Sequence, residues 1–275
     1  GIEKMTDHSQ DEITNALMAA GSDEERMAGV TFPGVYALMA QAYMQKYKIS
    51  EEDLAAVSVK NHYHGTLNPK AQFQSPITVS DVMKSSKIAD PLKLLDCSPI
   101  SDGAAAVIIS SGDSGVRKIK KPVYIIASEV ATDTLSLHDR KSFTSLSSVV
   151  QAADKAYKKA GLKPRAIDVA EIHDCFSISE AIATEDLGFS KIGEGANDIK
   201  KGKRTLFKGD IICNPSGGLK ACGHPVGATG IKQIVEIVEQ LRGEAGRRQA
   251  EGARIGLTHN VGGSGAVAVI HILQR

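Results

Sequence analysis

Asn214-Pro-Ser-Gly-Gly-Leu-Lys-Ala-Cys-Gly-His-Pro-Val-Gly-Ala-Thr-Gly230 is the stretch on which the reading of this chain turns. It gathers glycines, a histidine and a cysteine onto one turn and runs straight into an amphipathic segment. Glycine lets the backbone take positive φ and approach another group closely where a side chain would block it. Pro225 fixes the backbone just after His224. Beyond it, Ile231, Ile234, Val235, Val238 and Leu241 recur at a helical period, which predicts a helix with these residues inward, stopping near Gly243. A histidine at that helix mouth can take or give a proton near neutral pH. A structural histidine in a glycine-rich strand-to-helix turn fits the local spacing almost as well.

Upstream of this turn, 167–172 reads as a short strand and 177–187 as a helix ended by Gly188. His173 and Cys175 fall just past the strand end, where open α/β sheets place functional groups, and alternation puts them on one side. Taken alone, Cys175 reads as a small buried apolar residue. After the turn, 255–259 and 266–273 read as two strands around Gly262-Gly263. Residues 148–160 form a predicted helix with Val149, Ala152, Ala153, Ala156 and Ala160 inward, closed by Gly161. Residues 123–130 read as a strand, and 197–208 as a polar connection. The order of elements is that of an α/β protein.

The first half is less regular. Residues 1–30 look like an exposed loop with a short acidic helix at 23–27. Residues 31–47 are predicted helical, entered through Pro33 with Val35, Leu38, Met39, Ala42 and Tyr43 on one face. Ser50 caps a further helix, which is expected to give way to a loop at Lys60-Asn-His-Tyr-His-Gly65. Pro69 to Pro91 reads as loop with Ser80 capping a short helix, and Asp102 to Ser110 as a buried strand. The charged run Arg117 to Lys121 marks a boundary, dividing the chain into 1–118 and 119–275.

The chain of 275 residues is long enough for one large or two modest α/β units, and its net charge of +1, with both signs interspersed, suggests no nucleic-acid partner. Its 4 cysteines show neither CxxC nor zinc spacing, which argues against a metal site and for free thiols in a reducing, cytoplasmic compartment. No apolar run reaches the roughly 20 residues of a membrane span.

The turn resembles the histidine motif of the thiolase superfamily. Two further segments match in order: His173-Asp-Cys-Phe176, and Asn260-Val-Gly-Gly-Ser-Gly-Ala266. The likeness extends to Gly1-Ile-Glu-Lys-Met-Thr-Asp7, Lys60-Asn-His62 and Asp102-Gly-Ala-Ala-Ala-Val107. The His-Asp-Cys-Phe form is similar to archaeal acetoacetyl-CoA thiolases and the sterol-carrier-protein type.

The resemblance implies a layered αβαβα fold, with 119–275 as its C-terminal domain and 1–118 as the remainder of the N-terminal half, carrying a CoA-covering loop region. It implies that about a domain's worth of chain, holding the nucleophilic cysteine, precedes the segment similar to Gly1–Asp7. It assigns His224 to activating that cysteine, Cys175 to acid/base work at the α-carbon, and His173 to orienting an oxyanion-hole water. Gly262 and Gly263 would supply backbone N–H groups to a second oxyanion hole, and Asn260 stands where most thiolases carry their acid/base cysteine. Lys60 and His62 would contact CoA, although solvated residues at a helix end fit nearly as well. Cys222, Cys97 and Cys213 read as packing residues.

The expected activity is condensation of acetyl-CoA to acetoacetyl-CoA or its thiolytic reverse. The substrates are CoA thioesters, with no tightly bound cofactor. A homodimer or dimer of dimers is implied, with association to hydroxymethylglutaryl-CoA synthase through an OB-fold, zinc-ribbon protein, feeding mevalonate synthesis. The rivals are a retro-aldolase of the same fold, which needs no nucleophilic cysteine, and a non-catalytic CoA-binding or scaffolding subunit or fragment.

Overall fold

Glycine-terminated helices alternating with β-branched strands give the second half its order, and the first half supplies helices that cover it. The structure is a computed structural model and describes residues 1–111 and 121–275. In chain order the elements are β1 (Ile2–Glu3), α1 (Gln10–Met18), α2 (Asp23–Met27), α3 (Phe32–Tyr47), α4 (Glu51–Gly65), α5 (Val79–Lys84), β2 (Lys87–Ala89), β3 (Leu92–Lys93) and β4 (Gly103–Ala104). There follow β5 (Tyr124–Thr132), α6 (Ser147–Ala160), β6 (Val169–Ile172), α7 (Ser177–Asp186), α8 (Gly195–Lys200), β7 (Ile212–Cys213), α9 (Gly218–Cys222), α10 (Val226–Arg242), β8 (Ile255–Gly262) and β9 (Val267–Gln274). The expected boundary at 118/119 and most of the run from Arg117 lie outside the described residues.

A five-stranded sheet in the order β5-β9-β8-β6-β7 organises the core. The β8–β9 hairpin and the β5–β9 pair are antiparallel, whereas β6 runs parallel to both β8 and β7. Helix α6 packs on β5 and β9 with Val149, Ala152, Ala153 and Ala156 buried, while α10 packs on β8 and β6. All ten residues of α7 are buried, because it lies among α3, α4, α6 and α8. Its polar residues carry their own partners. Glu185 accepts from the Gly193 and Gly195 amides and from Tyr43, and Asp186 from Leu146 N and Ser145 Oγ. Buried polar groups persist only when paired in this way.

Several expectations are corrected. Helix α4 runs on to Gly65, so Lys60 to His64 are helical and not a loop. Residues 102–110 form only the two-residue β4, paired with β1, and Ile108 is 99% exposed. A strand needs a hydrogen-bonded neighbour, and among the described residues only Ile2–Glu3 offers one. Thr78, not Ser80, caps α5, through its hydroxyl and Asp81. Helices α1 and α8 occupy stretches that look irregular in sequence. The deep face of α10 is Gln233, Glu236, Ile237, Gln240 and Leu241, with Ile231, Ile234, Val235 and Val238 only half-buried. Polar residues tolerate that face because Gln233 donates to the His259 carbonyl at 3.0 Å and Gln240 to that of Arg248 at 2.8 Å.

Candidate active site

Every candidate acid/base group stands on a turn that follows a strand, and the close approach of two such turns builds the site. Parallel β6 ends at Ile172 and delivers His173, Asp174 and Cys175 to its carboxyl end, the usual position for functional groups on an α/β sheet. The neighbouring strand β7 ends at Cys213 and opens the turn carrying α9 and His224. Asn214, held at φ 56°, binds the two together: its Oδ1 accepts from Ile172 N at 2.7 Å and its Nδ2 donates to Glu180 at 3.1 Å.

Asp174 then clasps α9. Leu219 N donates to its Oδ1 at 2.6 Å, Lys220 N to its Oδ2 at 3.4 Å, and Asn61 Nδ2 to its Oδ2 at 2.6 Å. Gly218 has φ +62°, and a Cβ placed there would stand 2.5 Å from Asp174 Oδ2. The glycine is required by both its conformation and the closeness of the carboxylate. Burial, and the charge of Glu180, hold the Asp174 carboxyl above the usual carboxylate range.

His224 is fixed at three points. Its backbone N donates to Ser101 Oγ at 2.9 Å, Pro225 follows it, and its Nδ1 lies 2.8 Å from Thr229 Oγ1. The Thr229 hydroxyl donates to the Pro225 carbonyl at 3.0 Å, so it can only accept from the imidazole. The proton is thereby assigned to Nδ1 and the lone pair to Nε2. The His173 ring meets that of His224 edge-on, with centroids 5.0 Å apart and an interplanar angle of 90°. Burial first, then the neighbouring His173 and Lys232, hold His224 well below the ordinary histidine range. Burial pushes His173 down to about 4, and both imidazoles are neutral at physiological pH. The His173 backbone N–H donates to His259 Nδ1 at 3.3 Å, a contact with no signal in the sequence.

Cys175 is buried, with its Sγ 3.5 Å from Ser179 Oγ and the Tyr36 hydroxyl nearby. Burial is the main reason its thiol is pushed up to about 11. As a thiol it is a proton donor, and as a base it needs help from its surroundings.

The remaining sequence candidates are scattered. Gly262 ends β8 and Gly263, at φ +61°, begins the turn to β9, which Arg140 pins through Ser264. Asn260 faces α10, donating to Gln233 Oε1 at 3.2 Å. Lys60 is neither solvated nor placed to meet a phosphate. Its ammonium lies 2.7 Å from Glu180 Oε1 and donates to Asn61 Oδ1 at 2.6 Å and the Cys213 carbonyl at 2.9 Å. An ion pair and two hydrogen bonds neutralise it inside the protein. His62 is also buried, stacked on Phe73 at 5.7 Å. Cys213 is fully buried, as its apolar setting suggests. Cys222 lines a cavity of about 440 Å³ behind the His224 turn, with Ser101, Pro225 and Lys232, but none of His173, Cys175 or His224 borders it. Among the described residues no cysteine sulfur is hydrogen-bonded to His224.

Sequence reasoning did not find Ser101 or Thr229, and it read Asn61 with Lys60 and His62 as a CoA contact rather than a partner of Asp174. Only Thr229 carried a local signal, being five residues after His224 on the helix that the histidine opens.

Two family descriptions cover most of the chain: "Thiolase, N-terminal domain" over residues 1–113 and "Thiolase C-terminal domain-like" over 129–275. The acetyl-CoA acetyltransferase of Methanothermobacter thermautotrophicus is 53% identical over 276 residues, covering 100% of this chain and 71% of the relative. Human sterol carrier protein 2 is 43% identical over 243 residues, covering 86% of this chain and 44% of the relative. Among solved structures, the Ltp2-ChsH2(DUF35) aldolase superposes with a TM-score of 0.78 at 25% identity, over 98% of this chain and 69% of that one. A relative at this identity over the whole of this chain, and the histidine turn, the His-Asp-Cys-Phe loop and the terminal glycine hairpin on one α/β sheet, establish that the chain belongs to the thiolase family.

Proposed function

We propose that the protein transfers acyl groups between CoA thioesters, condensing two acetyl-CoA molecules to acetoacetyl-CoA or cleaving that product with CoA. The observation that carries this reading is His224, neutral, with its lone pair directed to Nε2 by Thr229 and its ring against His173, one residue from the Asp174 clasp that holds Cys175. The 53% identity to a named acetyl-CoA acetyltransferase supports the same reaction.

In the proposed sequence, His224 Nε2 removes the proton of an acyl-accepting thiol. The resulting thiolate attacks the thioester carbonyl and expels CoA, which leaves with that proton. The Cys175 thiolate then takes an α-proton from a second acetyl-CoA. The carbanion so formed attacks the acyl carbon, forming the C–C bond and breaking the C–S bond to the carrier thiol. His173 and the amides at Gly262 and Gly263 are assigned to the oxygens that become negative. The acyl-accepting thiol is one that reaches His224 from outside the described residues. Coenzyme A enters as substrate, and Lys60 has no part in holding it.

The retro-aldolase reading is favoured by one observation, the absence of a cysteine bonded to His224 among the described residues, and by likeness to a solved structure named an aldolase. Association with a second copy is supported by the edge of β5, unpaired among the described residues, where Tyr124, Ile125 and Val130 are exposed. Among the described residues no helix is long and apolar enough to cross a membrane.

The deciding experiment incubates the protein, expressed from its own gene, with acetoacetyl-CoA and CoA, and follows acetyl-CoA by chromatography and adducts by intact mass. The thiolase reading expects acetyl-CoA and a covalent acetyl group on a thiol, and Cys175→Ala given acetyl-CoA instead should retain the adduct but lose condensation. Cleavage of a β-hydroxyacyl-CoA without consumption of CoA would transfer the assignment to the retro-aldolase.

A further inference from the structure

Two lysines are buried beside the site, and they differ in one respect. Lys60 has Glu180, Asn61 and a carbonyl as partners, whereas Lys220, 1% exposed, has none for its ammonium among the described residues. An unpaired ion in a protein interior is strongly unfavourable, so a buried ammonium without a partner points to a negative charge that appears there during function.

The fold determines where that charge can appear. Lys220 lies on α9, and its own amide, with that of Leu219, holds Asp174, the residue before Cys175. From the opposite side, Ser98 N donates to the Cys175 carbonyl at 2.8 Å and brings Cys97 alongside. The ammonium acts electrostatically on four groups: His62 on α4, Cys97, Asp174 and Cys175. The Asp174 oxygens already accept from Asn61 and from two amides of α9, and His62 is a buried imidazole with an unpartnered Nδ1. Facing the Cys175 sulfur from the other elements are the Tyr36 hydroxyl of α3 and the Ser179 hydroxyl of α7, both neutral. Lys220 is the cation that favours ionised Cys175, against burial and the Asp174 carboxylate.

We propose that Lys220 is a positioning residue for Cys175, its ammonium held in readiness for the thiolate that Cys175 becomes when it acts as a base. The proposal rests on the acid/base role given to Cys175 above. The thiol loses its proton to solvent, and the thiolate and ammonium form a buried pair. That pair is dissolved when sulfur takes the α-proton. Lys220 touches no reacting atom, and its effect is on the ionisation of the sulfur.

The test titrates protein labelled with [3-13C]cysteine and follows the Cys175 Cβ resonance, identified by its loss in Cys175→Ser. In Lys220→Met the Cys175 curve is expected to move up by about one pH unit or more, a tenfold loss of acidity. In Lys220→Arg it stays near the wild-type curve, and Cys213, beside Lys60, is unmoved in both. Superimposable Cys175 curves for wild type and Lys220→Met overturn the proposal. Should Lys220→Met fail to fold, [6-13C]lysine in the wild type gives the second readout. The Lys220 Cε resonance should shift as Cys175 ionises and lose that inflection in Cys175→Ser, and its absence in the wild type overturns the proposal equally. Neither titration requires turnover, so loss of acyl transfer with the coupling intact counts against the thiolase reading and leaves Lys220 in place.

Discussion

The Nδ1 atom of His224 lies 2.8 Å from Thr229 Oγ1, while that hydroxyl donates its own proton to the Pro225 carbonyl at 3.0 Å. A side chain one turn along α10 thus decides which nitrogen of the histidine is basic. Replacing Thr229 with Val removes the acceptor and frees the ring to adopt either tautomer. The expected result is a fall in kcat of about tenfold to a hundredfold, the size usual for partners that orient a functional imidazole. Thr229→Ser should retain most of the activity. Steady-state thiolysis of acetoacetyl-CoA checks both, and an unchanged kcat in Thr229→Val contradicts the tautomer assignment.

The pH profile follows from the same burial. His224 is held below the ordinary range and His173 at about 4, so neither takes up a proton as the pH falls to 6.5. A base that must be neutral therefore remains competent there, and the acid limb of kcat/KM belongs well below pH 6.5. A limb centred at or above 6.5 would show that His224 is not the base. Stability carries the opposite load. The unfolded histidines bind protons near 6.5 while native His173 does not until about 4, so its contribution is complete above 6.5 and is lost as pH falls through that window. Denaturant melts of wild type and His173→Asn at pH 7 and pH 5 measure it: the variant should lose less stability on acidification.

Lys60 separates a structural role from a cofactor role. Lys60→Met strands the Glu180 carboxylate among α4, α7 and the Asn214 turn, and removing one partner of a buried pair costs about 3–5 kcal/mol. Chemical denaturation should show that loss, with KM for CoA unchanged in whatever fraction stays folded. A raised KM without destabilisation would restore Lys60 to the cofactor.

Gly218→Ala introduces a Cβ 2.5 Å from the Asp174 carboxylate at a φ of +62°, on a backbone that cannot retreat without releasing α9. Strain of this kind costs on the order of 1–3 kcal/mol. The expected outcome is a lower midpoint in denaturant together with loss of activity, because the clasp that carries Cys175 shifts with it. Gly161→Ala offers the control, since nothing lies within 4 Å of its Cβ and only its own φ of +66° is strained.

Much of this protein was legible without coordinates because its punctuation is local. Gly161 and Gly243 end α6 and α10 in left-handed conformations, Ser50 and Asp53 form the capping box of α4, and the strands β8 and β9 bracket their glycine turn. The same kind of signal at Ser9 and Glu12 marks α1, and a polar, weakly periodic stretch concealed it. His173, Cys175 and His224 were singled out by the resemblance of their motifs to those of thiolases. What tertiary structure alone decided is the state of each polar group. Gln233 and Gln240 turn inward on α10 because a strand carbonyl and the Arg248 carbonyl await them. Lys60 and Lys220 look like similar polar residues in sequence, yet one meets a carboxylate and the other meets no partner among the described residues. Periodicity reports which residues are apolar, but a hydrogen bond or ion pair across 120 residues depends on where separate elements come to rest.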